Sequence, residues 1–132
     1  ATDEASLDSF RQVFGPDTFA WEEPGLAVVV LDNVIHQPGT GVPARYVGGL
    51  RESQFRFIEA WLPTVPDDVL LVLAMHIPLF DDDPDPAVDS FRDADRQRLF
   101  NLLERRDHTL VLSSHTHIQQ HRWHGTEAGF AG

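Results

Sequence analysis

Leu110-Val-Leu-Ser-Ser-His-Thr-His117 decides how the rest of the chain is read. A short apolar run stops at two serines, and two histidines follow with one residue between them. That is the pattern of a buried strand delivering a pair of imidazoles to the edge of a sheet. Leu70-Leu-Val-Leu-Ala-Met-His76 has the same shape, an apolar strand finished by histidine. Open α/β folds place their sites outside the carboxyl ends of strands. Two strand ends that each finish in histidine are therefore weighed together as one metal site.

Outward from these strands, the chain reads as an alternation of elements. Residues 1–7 are polar and acidic and read as a loop. Asp8 to Phe14 reads as a short helix, with Phe10, Val13 and Phe14 on one face and Gly15-Pro16 as its stop. Asp17 to Trp21 and Leu26 to Leu31 form a hairpin about the turn Glu22-Glu-Pro-Gly25, and Val28-Val-Val-Leu31 predicts burial on both faces. Asp32 to Gly49, rich in Gly and Pro, reads as a long loop hanging from the C-terminal end of a buried strand. Leu50 to Leu62 reads as a helix with Leu50, Phe55, Ile58, Trp61 and Leu62 on its apolar face, stopped by Pro63 and Pro66. Val69 to Met75 is the next strand.

Asp81 to Asp89 holds five aspartates and two prolines. It reads as a solvated loop. A calcium loop of the EF-hand type would need regular ligand offsets, a central Gly and a terminal Glu, which it lacks. Asp93 to Arg106 reads as a helix with Asp93 as N-cap and Leu99, Phe100, Leu102 and Leu103 buried. Thr109 to Ser113 is the last clear strand, and Gln119 to Trp123 reads as one more. Strands separated by helical patterns predict βα units in a single α/β domain, or a mixed-sheet sandwich with helices outside.

The totals narrow the function classes. The 132 residues suit one domain, and the net charge is −11 from 21 acids against 10 bases, all arginine. Such a chain is a poor match for a nucleic-acid backbone, which needs clustered Lys or Arg. A phosphorylated substrate needs a local cation to reverse the sign. No apolar run approaches the roughly 20 residues of a membrane helix. With no cysteine there is no disulfide and no thiolate ligand.

Five of the seven histidines fall between 108 and 124. In an extended backbone, His115 and His117 share a face. Neutral imidazole is a common donor to borderline divalent metals, so the pair reads either as ligands or as two polar loop residues. His76 tips this towards metal, because a histidine after an apolar run is awkward in a core unless its ring nitrogens are occupied. His121 and His124 read as alternating along an exposed strand, His108 as solvent-facing, and His36 as a loop residue within reach of a substrate. Asp32-Asn33 ends a buried strand and reads as an Asx turn, with a ligand role the alternative. Ser113-Ser114 lacks the strand-to-helix elbow of a serine nucleophile. Gly48-Gly49 ahead of a helix is a weak anion-binding signal.

Met75-His-Ile-Pro-Leu-Phe80, followed some forty residues later by Ser113-Ser-His-Thr-His117, resembles the C-terminal half of the calcineurin-like metallophosphoesterases, whose later motifs are a lone His after a buried strand and a final G-H-x-H. Val28 to Asn33 and Tyr46-Val-Gly-Gly-Leu50, leading into Gln54 to Leu62, agree with it. The resemblance runs roughly from Asp8 to Gly125. It implies an α/β/β/α sandwich and two metal ions (Mn, Fe or Zn). His76 and His115 would bind one ion and His117 the other. It also implies in-line hydrolysis of a small phosphate mono- or diester by a metal-bridging hydroxide.

There are two departures from the family pattern. Ser114 stands where the family has glycine. The earlier motifs D-x-H and G-N-H-[DE] are not in this chain, so the bridging carboxylate, the Asn ligand and the catalytic acid-like His are expected upstream of Ala1. On this reading residues 1–132 are a single incomplete domain, inactive alone, with one sheet face exposed for association. Two alternatives stay open: a non-catalytic interaction module of the same fold, and a mononuclear zinc hydrolase using His76, His115 and His117.

Overall fold

In the computed structural model, which describes residues 3–37, 45–80, 91–116 and 119–124, the elements follow a clear order. The chain runs α1 (Asp3–Phe14), β1 (Thr18–Glu23), β2 (Leu26–Leu31), β3 (Val34–Gln37), β4 (Arg45–Gly48) and α2 (Glu52–Trp61). A 3-10 turn (Leu62–Thr64), β5 (Leu70–Ala74), α3 (Asp93–Leu103) and β6 (Thr109–Leu112) complete it. β1, β2, β5 and β6 lie side by side in that order, and β3 and β4 form a separate hairpin. β1 is antiparallel to β2, whereas β2, β5 and β6 are parallel. The fold is α/β, with a mixed sheet and three α-helices among the described residues.

The apolar runs become the inner strands because each must be covered on at least one face. Ala27, Val28, Val29 and Leu31 of β2 are buried, as are Leu71, Val72 and Leu73 of β5. Alternation sends Ala27, Val29, Leu31, Leu71, Leu73 and Met75 to one face. There they form one cluster with Leu50, Phe55, Ile58 and Leu62 around α2 and with Leu99 and Leu103 of α3. Fully burying each such side chain contributes about 1.5–3 kcal/mol. The β1–β2 hairpin closes on Pro24-Gly25, with Glu23 paired to Leu26. Pro24 fixes its own φ, and Gly25 takes φ +81, which a side chain would resist.

Several boundaries differ from the sequence reading. The first helix starts at Asp3 rather than Asp8; acids and alanine, read as a polar loop, also suit a first helical turn. Its apolar residues Phe10, Val13 and Phe14 are exposed. The stretch Asp32 to Gly49 is not a structureless loop, because Val34–Gln37 pairs with Arg45–Gly48; the intervening Gly and Pro residues hid two short strands. Asp93 is the first helical residue, with Arg92 at the cap position, and only Leu99 and Leu103 of that helix are fully buried among the four expected. Residues 119–124 form no strand. They are held by ring contacts instead: His124 stacks on Phe100 at 4.2 Å, and the Arg122 guanidinium lies 4.9 Å from the Phe80 ring. The aspartate-rich stretch Asp81 to Asp89 lies outside the described residues.

Candidate functional site

Parallel register brings the ends of β2, β5 and β6 level. Ala74 pairs with Val30 on one side and Leu112 on the other. The ladder runs slightly further: Met75 N–H donates to the Leu112 carbonyl at 3.0 Å, and Ser114 N–H to the His76 carbonyl at 3.1 Å. His76 thus lies just past the sheet. It is exposed, at the strand end where the sequence placed it and not the buried, carbonyl-bonded histidine of the alternative reading, because the strand ends at Ala74 and carries His76 to the rim.

Both ring nitrogens of His76 are occupied. Nε2 stands 3.0 Å from Nδ1 of His115, and Nδ1 stands 3.2 Å from the Ser114 hydroxyl. When Nδ1–H donates to Ser114 Oγ, the Nε2 lone pair is left facing His115. The rings meet edge to face, with centroids 4.8 Å apart. His115 has φ +66, a left-handed conformation that is uncommon outside glycine and several-fold enriched in His. Thr116 N–H donates to the Ser114 carbonyl at 2.7 Å and tightens the same turn. The special backbone therefore falls on His115, not on Ser114, although Ser114 occupies the glycine position of the G-H-x-H pattern. Tyr46 of β4 leans an edge on His115, with ring centroids 6.0 Å apart.

Asp32 is the Asx turn of the sequence reading. Its Oδ1 accepts Val34 N–H at 3.1 Å, and Oδ2 lies 3.6 Å from Arg51 Nη1. Arg51 also donates to the carbonyls of Asp32 and Val34. Buried Gln54 donates to Thr18 Oγ1 and to the Asp32 carbonyl. The end of β2 is thus tied down by side chains of the loop and helix that follow it. Gly48 and Gly49 serve close packing rather than an anion. A Cβ on Gly48 would stand 2.7 Å from Ile77 Cγ2, and Gly49 N–H is engaged by the Asn33 carbonyl at 3.0 Å.

An open cleft of about 580 Å³ runs from His76 and Ser114 between Leu7 and Phe10 of α1 and the sheet residues Val30 and Ala74. Asp17 lines it too. Burial pushes the Asp17 carboxyl up, but the hydrogen bond and charge of Arg11, together with the charge of Arg51, more than reverse this, so it titrates below the ordinary range.

Of the three histidines singled out, the structure brings two together; His117 lies outside the described residues. Among the described residues, no group of three or more His, Asp or Glu side chains converges on a common point. The pair that does converge is His76 and His115, with Nε2 and Nδ1 3.0 Å apart. Two nitrogens about 2.1 Å from one tetrahedral ion stand about 3.4 Å apart, so the rings would part slightly from their 3.0 Å approach to hold one. The 3.0 Å separation is a hydrogen bond when one nitrogen carries the proton. His108 is exposed as expected, and His36 sits on β3 opposite Tyr46. Asn33 was weighed with Asp32 as a turn or ligand pair and Ser114 as the glycine position of the motif, but the contacts of Asn33 and Ser114 with His76 and of Tyr46 with His115 join residues distant in sequence and were not foreseen. Comparison with protein-family models, curated proteins and solved structures finds no match to this chain.

Proposed function

We propose that this chain supplies part of the metal shell of a metal-dependent phosphoesterase that hydrolyses a phosphate mono- or diester. The sheet and its outer helices would form half of a two-sheet sandwich. The observation that carries the reading is the approach of His76 Nε2 to His115 Nδ1 at the C-terminal rim of two parallel strands. His76 and His115 would hold one ion, and His117 a second of the same class (Mn, Fe or Zn). Such ions, when bound, acidify a water nucleophile and neutralise charge on the phosphoryl group. The chain's own residues orient and exclude. Ser114 hydrogen-bonds His76 Nδ1 and orients the ring, Tyr46 walls His115, and Arg51 and Gln54 hold the rim still. Bound cations would also let a small phosphorylated substrate approach a chain of net charge −11.

Metal content and hydrolysis of an aryl phosphate by the full-length protein test this. We expect two metal equivalents, one of them lost in His117→Ala. His76→Ala should lower hydrolysis at least about 100-fold, the scale of several kcal/mol of lost charge stabilisation. A full-length protein with no metal and no hydrolysis overturns the reading. The exposed apolar side chains on one sheet face favour a second reading, an interaction module of the same fold, which predicts binding of another chain without turnover. A single equivalent held by all three histidines would instead mark a mononuclear zinc hydrolase. No described helix is long and apolar enough to cross a membrane.

A further inference from the structure

Asn33 is fully buried, with no exposed surface. Its carboxamide is directed at the turn after β5. Oδ1 accepts His76 N–H at 3.1 Å and Ile77 N–H at 2.9 Å, and Nδ2 donates to the Ile77 carbonyl at 2.7 Å. Its own main chain is fixed from the other side, where its carbonyl accepts Gly49 N–H. His76 is consequently held at both ends of its peptide unit, the N–H by Asn33 and the carbonyl by Ser114 N–H. A ring on a backbone held in this way has few directions left, and the observed one meets His115.

We propose that Asn33 is a positioning residue for His76: its buried carboxamide sets the turn that aims the imidazole at His115. The inference rests on the metal-dependent reading above and names what keeps that site in order. A hydrophobic residue of similar size would leave two N–H groups beside buried Ile77 without their acceptor, a costly arrangement. A purely structural clamp would lower stability and leave the folded site unchanged. A positioning clamp changes the folded site itself.

The test uses the full-length protein, with Zn²⁺ alone as the probe. In folded Asn33→Ala we expect Zn²⁺ affinity, by calorimetry, to fall about 10–100-fold, as when other supporting partners of ligands are removed. The nuclear Overhauser contact between the His76 and His115 rings should vanish. In a His76→Ala background, Asn33→Ala should leave the residual affinity unchanged, because the coupling runs through His76. Asn33→Asp, whose fully buried carboxyl is held protonated, keeps an acceptor for both N–H groups and a donor for the Ile77 carbonyl, and should restore most of the affinity. Wild-type affinity in folded Asn33→Ala, or an equal loss in both backgrounds, overturns the proposal. If the wild-type protein takes up no Zn²⁺, the metal reading fails and the ring contact alone decides the role of Asn33: its loss in Asn33→Ala supports the clamp, and its persistence overturns it. If Asn33→Ala does not fold, Asn33→Asp decides in the same way. Affinity near wild type supports the clamp, and a loss as large as that of His76→Ala overturns it.

Discussion

The two faces of the four-stranded sheet are built from the same residue types and meet different fates. On one face Val29, Leu73 and Val111 stand in a row across β2, β5 and β6, beneath α2 and α3. On the other, Phe19, Val30, Ala74 and Leu112 form one row, and Trp21, Val28, Val72 and Leu110 the next. Phe19, Trp21, Leu70, Leu110 and Leu112 on this face are each 41–51% exposed. Strand composition alone does not distinguish the two. The difference lies in where the connecting helices go, since α2 and α3 both join the core on the first face. Among the described residues, the second face has only α1 beside it, standing off across the cleft at its C-terminal end. Apolar surface of this kind is where association with another chain is expected.

The largest expected effect compares one residue type across the two faces. Leu73 is 1% exposed and Leu112 is 51% exposed. Leu73→Ala removes side-chain atoms from a close-packed core and should cost about 2–5 kcal/mol. Leu112→Ala should cost less than about 1 kcal/mol. Urea unfolding measures both. A Leu112→Ala loss as large as that of Leu73→Ala would break the comparison, showing that the second face is covered in the protein.

A smaller effect concerns association. Replacing Leu110 and Leu112 together by threonine introduces β-branched side chains suited to a strand while removing apolar area from the open face. Stability should change by no more than about 1 kcal/mol, and self-association, followed by sedimentation, should weaken. Unchanged association would place the contact surface elsewhere, with the exposed face of α1 the next candidate.

The same contrast explains what was legible in the sequence. The runs Leu26–Leu31 and Leu70–Ala74 announced buried parallel strands, and the histidines after two of the runs announced the rim; the run Thr109–Leu112, also read as buried, is instead a half-exposed edge strand. Periodicity put the end of β5 at Met75, one residue beyond its observed end at Ala74, and so still left His76 outside the strand. It missed β3 and β4, because short strands beside Gly and Pro carry too few residues for alternation to show. Asn33 was visible only as a polar residue after a strand. Its partners His76 and Ile77 are 43 and 44 residues away, and no local pattern encodes such a pairing. The ring contacts of His124 with Phe80 and Phe100 were equally hidden, and an alternating polar stretch was mistaken for a strand.

The smallest expected effect tests what holds α1 beside the open face. Arg11 Nε on α1 donates to Asp17 Oδ1 at 2.7 Å, just ahead of β1. This pair joins the helix to the sheet where packing is thin, and Phe10, Val13 and Phe14 gain little from burial. The Asp17 carboxyl titrates below its ordinary value of 3.8 when folded. Its charged form therefore stabilises the fold above that value, and the contribution is lost as pH falls through the folded value. Asp17→Asn should reduce stability near neutral pH by no more than about 1 kcal/mol, as for other solvent-screened pairs. The gap between variant and wild type should close on acidification below 3.8, in unfolding curves measured across pH. A gap that stays constant into acid would mean that Asp17 acts by shape rather than charge. In that case α1 is held by its contacts along the cleft, and the open face is better covered there than its exposed rows suggest.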